Sequence, residues 1–278
     1  MKFDVIVANP PYQELKSGNK KSQAIWHKFV EKGLGICSEG GYFSMIHPSG
    51  WREPKGMFKK TGELLIRRKM LFTNLYGIKK GSEIFGVITS CDWYVLKNQT
   101  SEGNLTEIKF QDGSIEMVDL SGVEFIPNSK MKEIMSLIAK PDEEKTEVIS
   151  NSSYQRLGNH VSKEKTGGFI YPVVYTCTAS GKINFCWSNC NNKGHFGVPK
   201  VICSNGISSV HVDSTGKYAL TEFAHAIVDE PKNLPMIKKA LESKKFIELM
   251  KHCALNGKHR YNCKVIALFR KDFWREFV

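Results

Sequence analysis

Four residues near the start of the chain, Asn9-Pro10-Pro11-Tyr12, combine polar acceptors with a stiff backbone and an aromatic ring. Two consecutive prolines fix the backbone and remove two donors, and a residue that precedes proline is held in an extended conformation. The loop follows an apolar segment, residues 3–8, that reads as a strand buried on both faces. Because open α/β sheets bind ligands at the carboxyl ends of their strands, we expect this loop to hold a ligand.

The elements that must position this loop alternate between strands and helices. After residues 3–8, the pattern predicts a helix at about 22–35, a strand at 41–46, a helix over 57–70, a strand at 71–76, a polar loop at 77–83 and a strand at 87–96. Such alternation implies a largely parallel sheet of about four strands. From about residue 99 the pattern changes to short strands with Gly and Asn turns, and two helices near 232–253. The sequence therefore predicts an α/β domain over residues 1–98 and an α+β domain over 99–278.

The charge balance favours a polyanionic partner. Among 278 residues the net charge is +12 and the pI is about 9.2, so nucleic acid is the first candidate. No apolar run reaches the roughly 18 residues that a membrane span needs, and the N-terminus has no signal-peptide pattern. Eight cysteines without such a signal are typical of reduced thiols in a cytoplasmic protein.

The Asn-Pro-Pro-Tyr motif after an apolar strand resembles the catalytic motif of DNA adenine-N6 methyltransferases of restriction-modification systems. Later segments resemble that family in the same order: residues 41–51 its next strand and loop, and residues 85–97 the strand near its target-base pocket. The second half resembles its target-recognition region, notably at residues 199–202 and 212–216. The resemblance implies a partial Rossmann-like methyltransferase sheet over 1–98, a recognition domain over 99–278, and double-stranded DNA as the substrate.

The resemblance also assigns chemistry to individual residues. The side-chain oxygen of Asn9 and the carbonyl of Pro10 would accept the hydrogens of an adenine amino group, which is otherwise a poor nucleophile. The ring of Tyr12, which follows Pro11, would stack on an adenine flipped out of the duplex. The expected walls of the base pocket are Phe43, Trp51 and Phe85.

Basic residues supply expected DNA contacts, and we expect no metal site. Lys79, Lys80, Lys258 and Arg260 are suited to phosphate contacts. A zinc site could be imagined around Cys186 and Cys190, but the chain lacks the paired Cys-x₂-Cys spacing of such sites.

The cofactor that the resemblance implies, S-adenosyl-L-methionine, has no recognisable binding loop in this sequence. In the family, a glycine-bearing loop after the first strand and an acidic residue after the second precede the Asn-Pro-Pro-Tyr segment, whereas only eight residues precede it here. Asn9 and Pro10 would border that cofactor. We therefore expect the chain to be an incomplete enzyme by itself, completed by a separate polypeptide that carries the cofactor-binding half, or self-associated through residues 5–8.

Two other classes of function stay open at this stage. The chain could be a non-catalytic DNA-recognition subunit, or the degenerate remnant of a methylase. Amino methylation of cytosine, of an RNA base or of a protein glutamine is also compatible with the motif.

Overall fold

The computed structural model describes residues 1–14, 22–86, 88–204, 209–255 and 261–278, and these form two compact units. The first unit comprises residues 1–131 together with Leu255, and the second comprises most of residues 132–278. No helix among the described residues is long and apolar enough to cross a membrane.

The first unit is built around a six-stranded sheet. Its elements in chain order are β1 (Phe3–Ala8), β2 (Gln13–Glu14), β3 (Gln23–Ala24), α1 (Trp26–Ile36), β4 (Cys37–Pro48), α2 (Lys59–Ile66), β5 (Arg68–Tyr76), α3 (Ile78–Phe85), β6 (Cys91–Thr100), β7 (Leu105–Lys109) and β8 (Ile115–Asp119). The strand order is β1-β4-β6-β5-β7-β8, and β2 pairs with β3 in a separate hairpin. The chain is therefore α/β in class, and its first sheet continues past residue 98 into β7 and β8.

The expectation of a largely parallel sheet is wrong. β1 pairs with β4 and β5 with β7 in parallel, but β6 runs antiparallel to both of its neighbours. The reversal arises because β5 and β6 are joined by the short α3 segment on one edge rather than by a full crossover. Residues 78–83 of the expected loop at 77–83 belong to this helix, which ends at Phe85 and is capped by Gly86 with a positive φ of 65°.

The helix expected over 57–70 is shorter than the pattern suggested. It ends at Ile66, and β5 begins at Arg68, because Arg68 and Lys69 pair with Thr100 and Lys97 of β6. Sheet pairing thus overrides local helix propensity at this basic segment.

Strand β4 explains how the sheet is covered. Its side chains alternate between buried and partly exposed, and Phe43, Met45 and His47 lie on the buried face. Helix α1 packs on this face so closely that a Cβ at Gly33 would collide with the ring of Phe43.

Strand β1 is the strand predicted at residues 3–8, but it is not buried on both faces. Phe3, Val5 and Val7 are 44%, 62% and 78% exposed. Among the described residues β1 has one neighbour, β4, so its other edge and one of its faces are open.

In its described residues the second unit contains two four-stranded sheets, four α-helices and a 3-10 helix at Phe273–Phe277. Its elements are α4 (Met131–Met135), β9 (Glu147–Ile149), β10 (Val161–Ser162), β11 (Tyr171–Cys177), β12 (Ile183–Ser188), β13 (Lys200–Ser204), β14 (His211–Asp213), β15 (Ala219–Leu220), β16 (Ala224–Val228), α5 (Leu234–Glu242), α6 (Lys244–Lys251) and α7 (Cys263–Ile266). The sheet orders are β10-β12-β11-β15 and β14-β13-β16-β9. Apolar residues of both sheets share one core cluster, which includes Val174, Ile202, Leu220 and Ala226. The two helices predicted near 232–253 are confirmed as α5 and α6.

Candidate functional site

A pocket of about 700 Å³ opens where β1 ends and the Asn9-Pro10-Pro11-Tyr12 loop begins. Pairing of Ala8 with Met45 places this loop next to the end of β4. The lining residues are polar but uncharged, aliphatic or aromatic, and they come from several separate segments of the first unit: Asn9, Pro10, Pro11, Tyr12, Gln13, Ala24, Trp26, Pro48, Phe58, Phe85, Ile88 and Thr89.

The loop is held at its far end by Tyr12. Its carbonyl oxygen accepts a hydrogen bond from the Ile25 amide at 3.0 Å, just beyond the β2–β3 hairpin. Its hydroxyl lies 3.9 Å from the sulfur of Cys91 at the start of β6. Burial raises the pKa of Tyr12, and Cys91 adds to that rise, so the phenol is neutral. The ring is thus fixed in a partly buried position beside the pocket.

Aromatic side chains form one wall of the pocket. The indole of Trp26 stacks on the buried imidazole of His47, with ring centroids 4.2 Å apart, and Phe58 lies 4.5 Å from Trp26. The Nε2 atom of His47 is 3.1 Å from the hydroxyl of Tyr94. Burial lowers the pKa of His47 to about 4, so the imidazole is neutral at pH 7. This wall is therefore largely apolar and uncharged.

A buried ion pair braces the segment that follows Pro48. The Asp92 carboxylate accepts hydrogen bonds from Ser49 Oγ at 2.8 Å, Trp51 Nε1 at 2.9 Å and Arg52 Nε at 2.7 Å. Burial raises the pKa of Asp92, and the Arg52 charge and the three donors oppose that rise. The other guanidinium nitrogens of Arg52 bond the Ile126 carbonyl and the Asn128 side chain.

The segment that leads into β6 is fixed by hydrogen bonds of Ser90. Its carbonyl accepts from the Ser49 amide at 3.1 Å, and its hydroxyl donates to the Leu255 carbonyl at 2.6 Å. Because Pro48 and Thr89 flank these bonded residues, the two loops that border the pocket have defined positions.

Of the three residues that the sequence assigned to the walls of the base pocket, only one lines it. Phe85, at the end of α3, lines the pocket together with the four motif residues. Phe43 does not, because it is fully buried on the α1 side of β4. Trp51 does not either, because its indole is drawn to Asp92 and borders a separate cavity of about 250 Å³.

Sequence reasoning missed the walls formed by Trp26, Phe58 and Ile88. Trp26 and Phe58 occur in apolar helical patterns that are typical of core residues, so nothing local distinguished them. They reach the motif loop only because α1 and the segment before α2 pack against the end of β4.

The predicted DNA contacts fall in two places. Lys79 and Lys80 are exposed on α3, next to the pocket residue Phe85, and Lys80 forms an ion pair with Glu83 at 3.3 Å. Lys258 and Arg260 lie outside the described residues.

The pocket suits a planar, uncharged ring that carries hydrogen-bond donors. Asn9 is exposed and contributes a side-chain amide, and the described lining residues include no charged group. Among the described residues there is also no group of three or more His, Cys, Asp or Glu side chains that could hold a metal ion. All eight cysteines are free thiols.

Comparison with known proteins gives one family for the segment that carries this pocket. Residues 1–85 match the Eco57I restriction-modification methylases. The first part of the chain is therefore similar to restriction-modification methylases, and the matched span includes every motif residue. No curated protein sequence matches the chain.

Several solved structures are similar over most of the chain at low identity. The type IIL restriction-modification enzyme MmeI in complex with DNA has 10% identity and a TM-score of 0.49, over 95% of this chain and 46% of that one. The type IIG restriction endonuclease BpuSI has 8% identity and a TM-score of 0.36, over 93% and 44%. A modification subunit of a putative type I restriction enzyme from Vibrio vulnificus YJ016 has 11% identity and a TM-score of 0.30, over 69% and 38%. This chain spans less than half the length of each of these three chains.

Proposed function

We propose that this chain carries the base-binding and sequence-reading part of a DNA adenine-N6 methyltransferase of a restriction-modification system. The observation that carries the proposal is the pocket itself, which combines the fixed Asn9-Pro10-Pro11-Tyr12 loop with an uncharged aromatic wall. The match of residues 1–85 to restriction-modification methylases supports it. The proposal places the protein in the cytoplasm, where DNA is accessible and thiols stay reduced.

In this proposal Asn9 and Pro10 orient the amino group of the target base. The amino lone pair is delocalised into the ring, so nitrogen attacks poorly. Two neutral acceptors, the Asn9 side-chain oxygen and the Pro10 carbonyl, draw both amino hydrogens into a geometry that frees the lone pair. Because Pro10 is buried and backbone-fixed, its carbonyl position does not depend on a flexible side chain.

The rings around the pocket would receive a base that has left the duplex. A base edge inside a duplex cannot be reached, so the nucleotide must be extruded. Tyr12 provides a ring face, and stacking contributes about 1–3 kcal/mol per base. Trp26 and Phe85 also line this pocket. A pocket of about 700 Å³ is large enough to accommodate a purine.

The methyl donor that this reaction requires, S-adenosyl-L-methionine, does not fit the described lining by itself. The donor supplies an electrophilic methyl carbon, but the lining offers no carboxylate for its ribose hydroxyls and no glycine loop for its amino-acid end. The described residues therefore suit the methyl acceptor.

We propose that the open edge of β1 pairs with a strand of the cofactor-binding half, in the same or a separate polypeptide. Val5 and Val7 are 62% and 78% exposed, and an open apolar strand edge is a template for pairing. On this proposal the chain alone binds S-adenosyl-L-methionine weakly or not at all, and is inactive alone. Isothermal titration of the purified chain tests this, and tight binding by a monomer would show that the cofactor site lies within the chain.

The alternative is a DNA-recognition subunit without catalysis. The net charge of +12 favours this possibility as much as it favours the enzyme. The two differ at Asn9, because a recognition subunit has no need of an amide at the mouth of the pocket.

The test is Asn9→Ala in the complete assembly, assayed for methyl transfer and for DNA binding. We expect the rate of transfer to fall at least about 1,000-fold and DNA affinity to change by less than about threefold, since the lost contacts act mainly in the transition state. The matched control is Gln99→Ala, which removes an exposed amide at the opposite end of β6 from the pocket. Near-normal transfer by Asn9→Ala would contradict the proposal.

A further inference from the structure

One face of the second unit carries lysines and aromatic rings in a continuous row. The ammonium group of Lys165 lies over the ring of Trp187 at 4.9 Å, and that of Lys217 lies over the ring of Tyr218 at 5.7 Å. Phe185 joins them, with its ring centroid 6.2 Å from Trp187 and 5.3 Å from Tyr218. We call these five residues the aromatic–lysine surface.

The rings of this surface are supported from below but not covered. Phe185 and Trp187 lie two residues apart on β12, so they project from the same face of its sheet. Phe185 and Tyr218 pack against the core shared by the two sheets, and all three rings remain partly exposed. Lys165 and Lys217 are exposed at the two ends of the row.

The turn that presents Lys217 and Tyr218 is fixed by a buried carboxylate. Asp213 accepts the backbone amides of both residues, at 2.8 and 3.0 Å. Its other partner is the buried Lys200, 3.0 Å away, which also donates to the carbonyls of His195 and Val198. Burying such an ion pair is costly, and its consequence here is a rigid surface turn.

Gly216 lets the same turn approach the backbone of residues 197 and 198 closely. Its φ is +68°, and a Cβ at this position would collide with the backbone of Gly197 and Val198. The Gly197 amide donates to the Gly216 carbonyl at 2.8 Å. The lysine and tyrosine are therefore presented by a pre-ordered segment, which lowers the entropic cost of binding a partner.

The charge of the surface indicates the chemistry of the partner. Its ammonium groups lie over rings, and no carboxylate among the described residues forms an ion pair with either of them. At one end Lys163 and Lys165 flank Glu164, so that segment keeps a net positive charge. Lysines next to exposed ring faces fit a polyanion that carries flat, partly apolar groups between its charges. Nucleic acid has this chemistry.

We propose that the aromatic–lysine surface binds duplex DNA, with Lys165 and Lys217 on phosphates and the rings against deoxyribose and base edges. This inference rests on the proposed function only in taking DNA as the substrate. It assigns DNA contacts in the second unit to residues other than Lys258 and Arg260, which the sequence suggested.

The test is the salt dependence of duplex binding by the full chain, measured by fluorescence anisotropy with a labelled duplex. Each phosphate contact contributes about 0.9 to the slope of log K against log salt. We expect Lys165→Ala/Lys217→Ala to reduce that slope by about two. The control is Lys238→Ala/Lys251→Ala, which removes the same formal charge from a partly exposed position on α5 and an exposed position on α6, where each lysine pairs with a glutamate of its own helix.

A second variant tests the rings without changing charge. Trp187→Leu should weaken duplex binding severalfold at every salt concentration and leave the slope unchanged, whereas Trp187→Phe should retain most of the affinity. Melting curves establish that each variant is folded.

Three outcomes would overturn the inference: a wild-type slope for Lys165→Ala/Lys217→Ala, an equal loss in the control, or tighter binding of single-stranded RNA than of duplex DNA through the same residues. None of them bears on Asn9. Loss of methyl transfer in Asn9→Ala would still support the proposed function, and retention of transfer would remove that function without removing a DNA-binding surface.

Discussion

Within the part of the chain that the structure describes, each unit buries an ion pair, and the two pairs have different roles. In the first unit Arg52 and Asp92 are 2.7 Å apart with fully buried side chains, and in the second Lys200 and Asp213 are 3.0 Å apart and nearly as buried. Asp92 accepts hydrogen bonds from side chains of a loop about forty residues away in sequence. Asp213 instead accepts hydrogen bonds from backbone amides four and five residues further along the chain.

The difference indicates what each unit presents. The Asp92 network joins distant segments around a concave pocket, which needs several walls to be held at once. The Asp213 network fixes one local turn at the aromatic–lysine surface. The guanidinium of Arg52 suits the first task because its partners lie 40 to 76 residues away in sequence. The compact ammonium of Lys200 suits the second, because the carbonyls it bonds are only two and five residues away.

The largest expected effect follows from removing either carboxylate. Asp92→Ala and Asp213→Ala each leave a buried cation unpaired, so each should lower the free energy of unfolding by about 3–5 kcal/mol. Chemical denaturation measures this, and Asp119→Ala, at an exposed position, is the control. Should both variants lose less than about 1 kcal/mol, the buried pairs would not be the braces described above.

Two buried histidines, one in each unit, offer an intermediate test of the same comparison. Burial lowers the pKa of His47 in the first unit to about 4, and burial with the nearby Lys200 lowers that of His195 in the second to about 4. Between about pH 6.5 and 4 the unfolded chain binds protons at these residues and the folded chain does not. Stability therefore falls as the pH drops through this window.

Each histidine should contribute about 1.4 kcal/mol per pH unit. His47→Phe and His195→Phe should each flatten the pH dependence of the free energy of unfolding between pH 6.5 and 5 by about 2 kcal/mol. If His47→Phe had the same pH dependence as the wild type, the His47 imidazole of the folded wild-type protein would take up a proton beside Trp26 over the same pH range as in the unfolded chain.

The smallest expected effect separates the pocket from the surface. Tyr12→Ala should weaken capture of an extruded base by about 1–3 kcal/mol, without altering the salt slope of DNA binding. Tyr12→Phe loses only the contact of its hydroxyl with Cys91 and should behave nearly as the wild type. Binding of a duplex with a mismatched adenine, compared with its matched form, measures base capture. Equal losses in Tyr12→Phe and Tyr12→Ala would show that the hydroxyl matters more than the ring.

Local sequence signals predicted the elements that short-range physics decides. The strand at residues 3–8 ends where the prolines begin, and the helices near 232–253 follow a clear apolar period. The predicted parallel direction of the sheet was wrong because β6 is antiparallel to both of its neighbours. Which strands β6 pairs with depends on long-range contacts, and no local pattern encodes them. The first residues of the strand at 68–76 were predicted to be helical. They form a strand because they pair with β6, and this long-range pairing leaves no local signal in the sequence.

The site was predictable where the backbone alone defines it. The residues of the motif loop could be assigned to the pocket from the sequence, because the prolines and the end of the strand are local features. Phe43 and Trp51 were misplaced because strand alternation and the carboxylate of Asp92 determine where they point. Trp26 and Phe58 could not be found, because helix packing brings them to the loop from separate segments.

Nucleoside mass spectrometry tests the central claim, that the pocket holds an adenine amino group for methylation, most directly. DNA is isolated from a host without adenine methylation that expresses this chain in its native gene context. We predict N6-methyladenine with the wild type and with Gln99→Ala, and none above background with Asn9→Ala. N6-methyladenine at near wild-type level in Asn9→Ala, or N4-methylcytosine as the only product of the wild type, would contradict the claim.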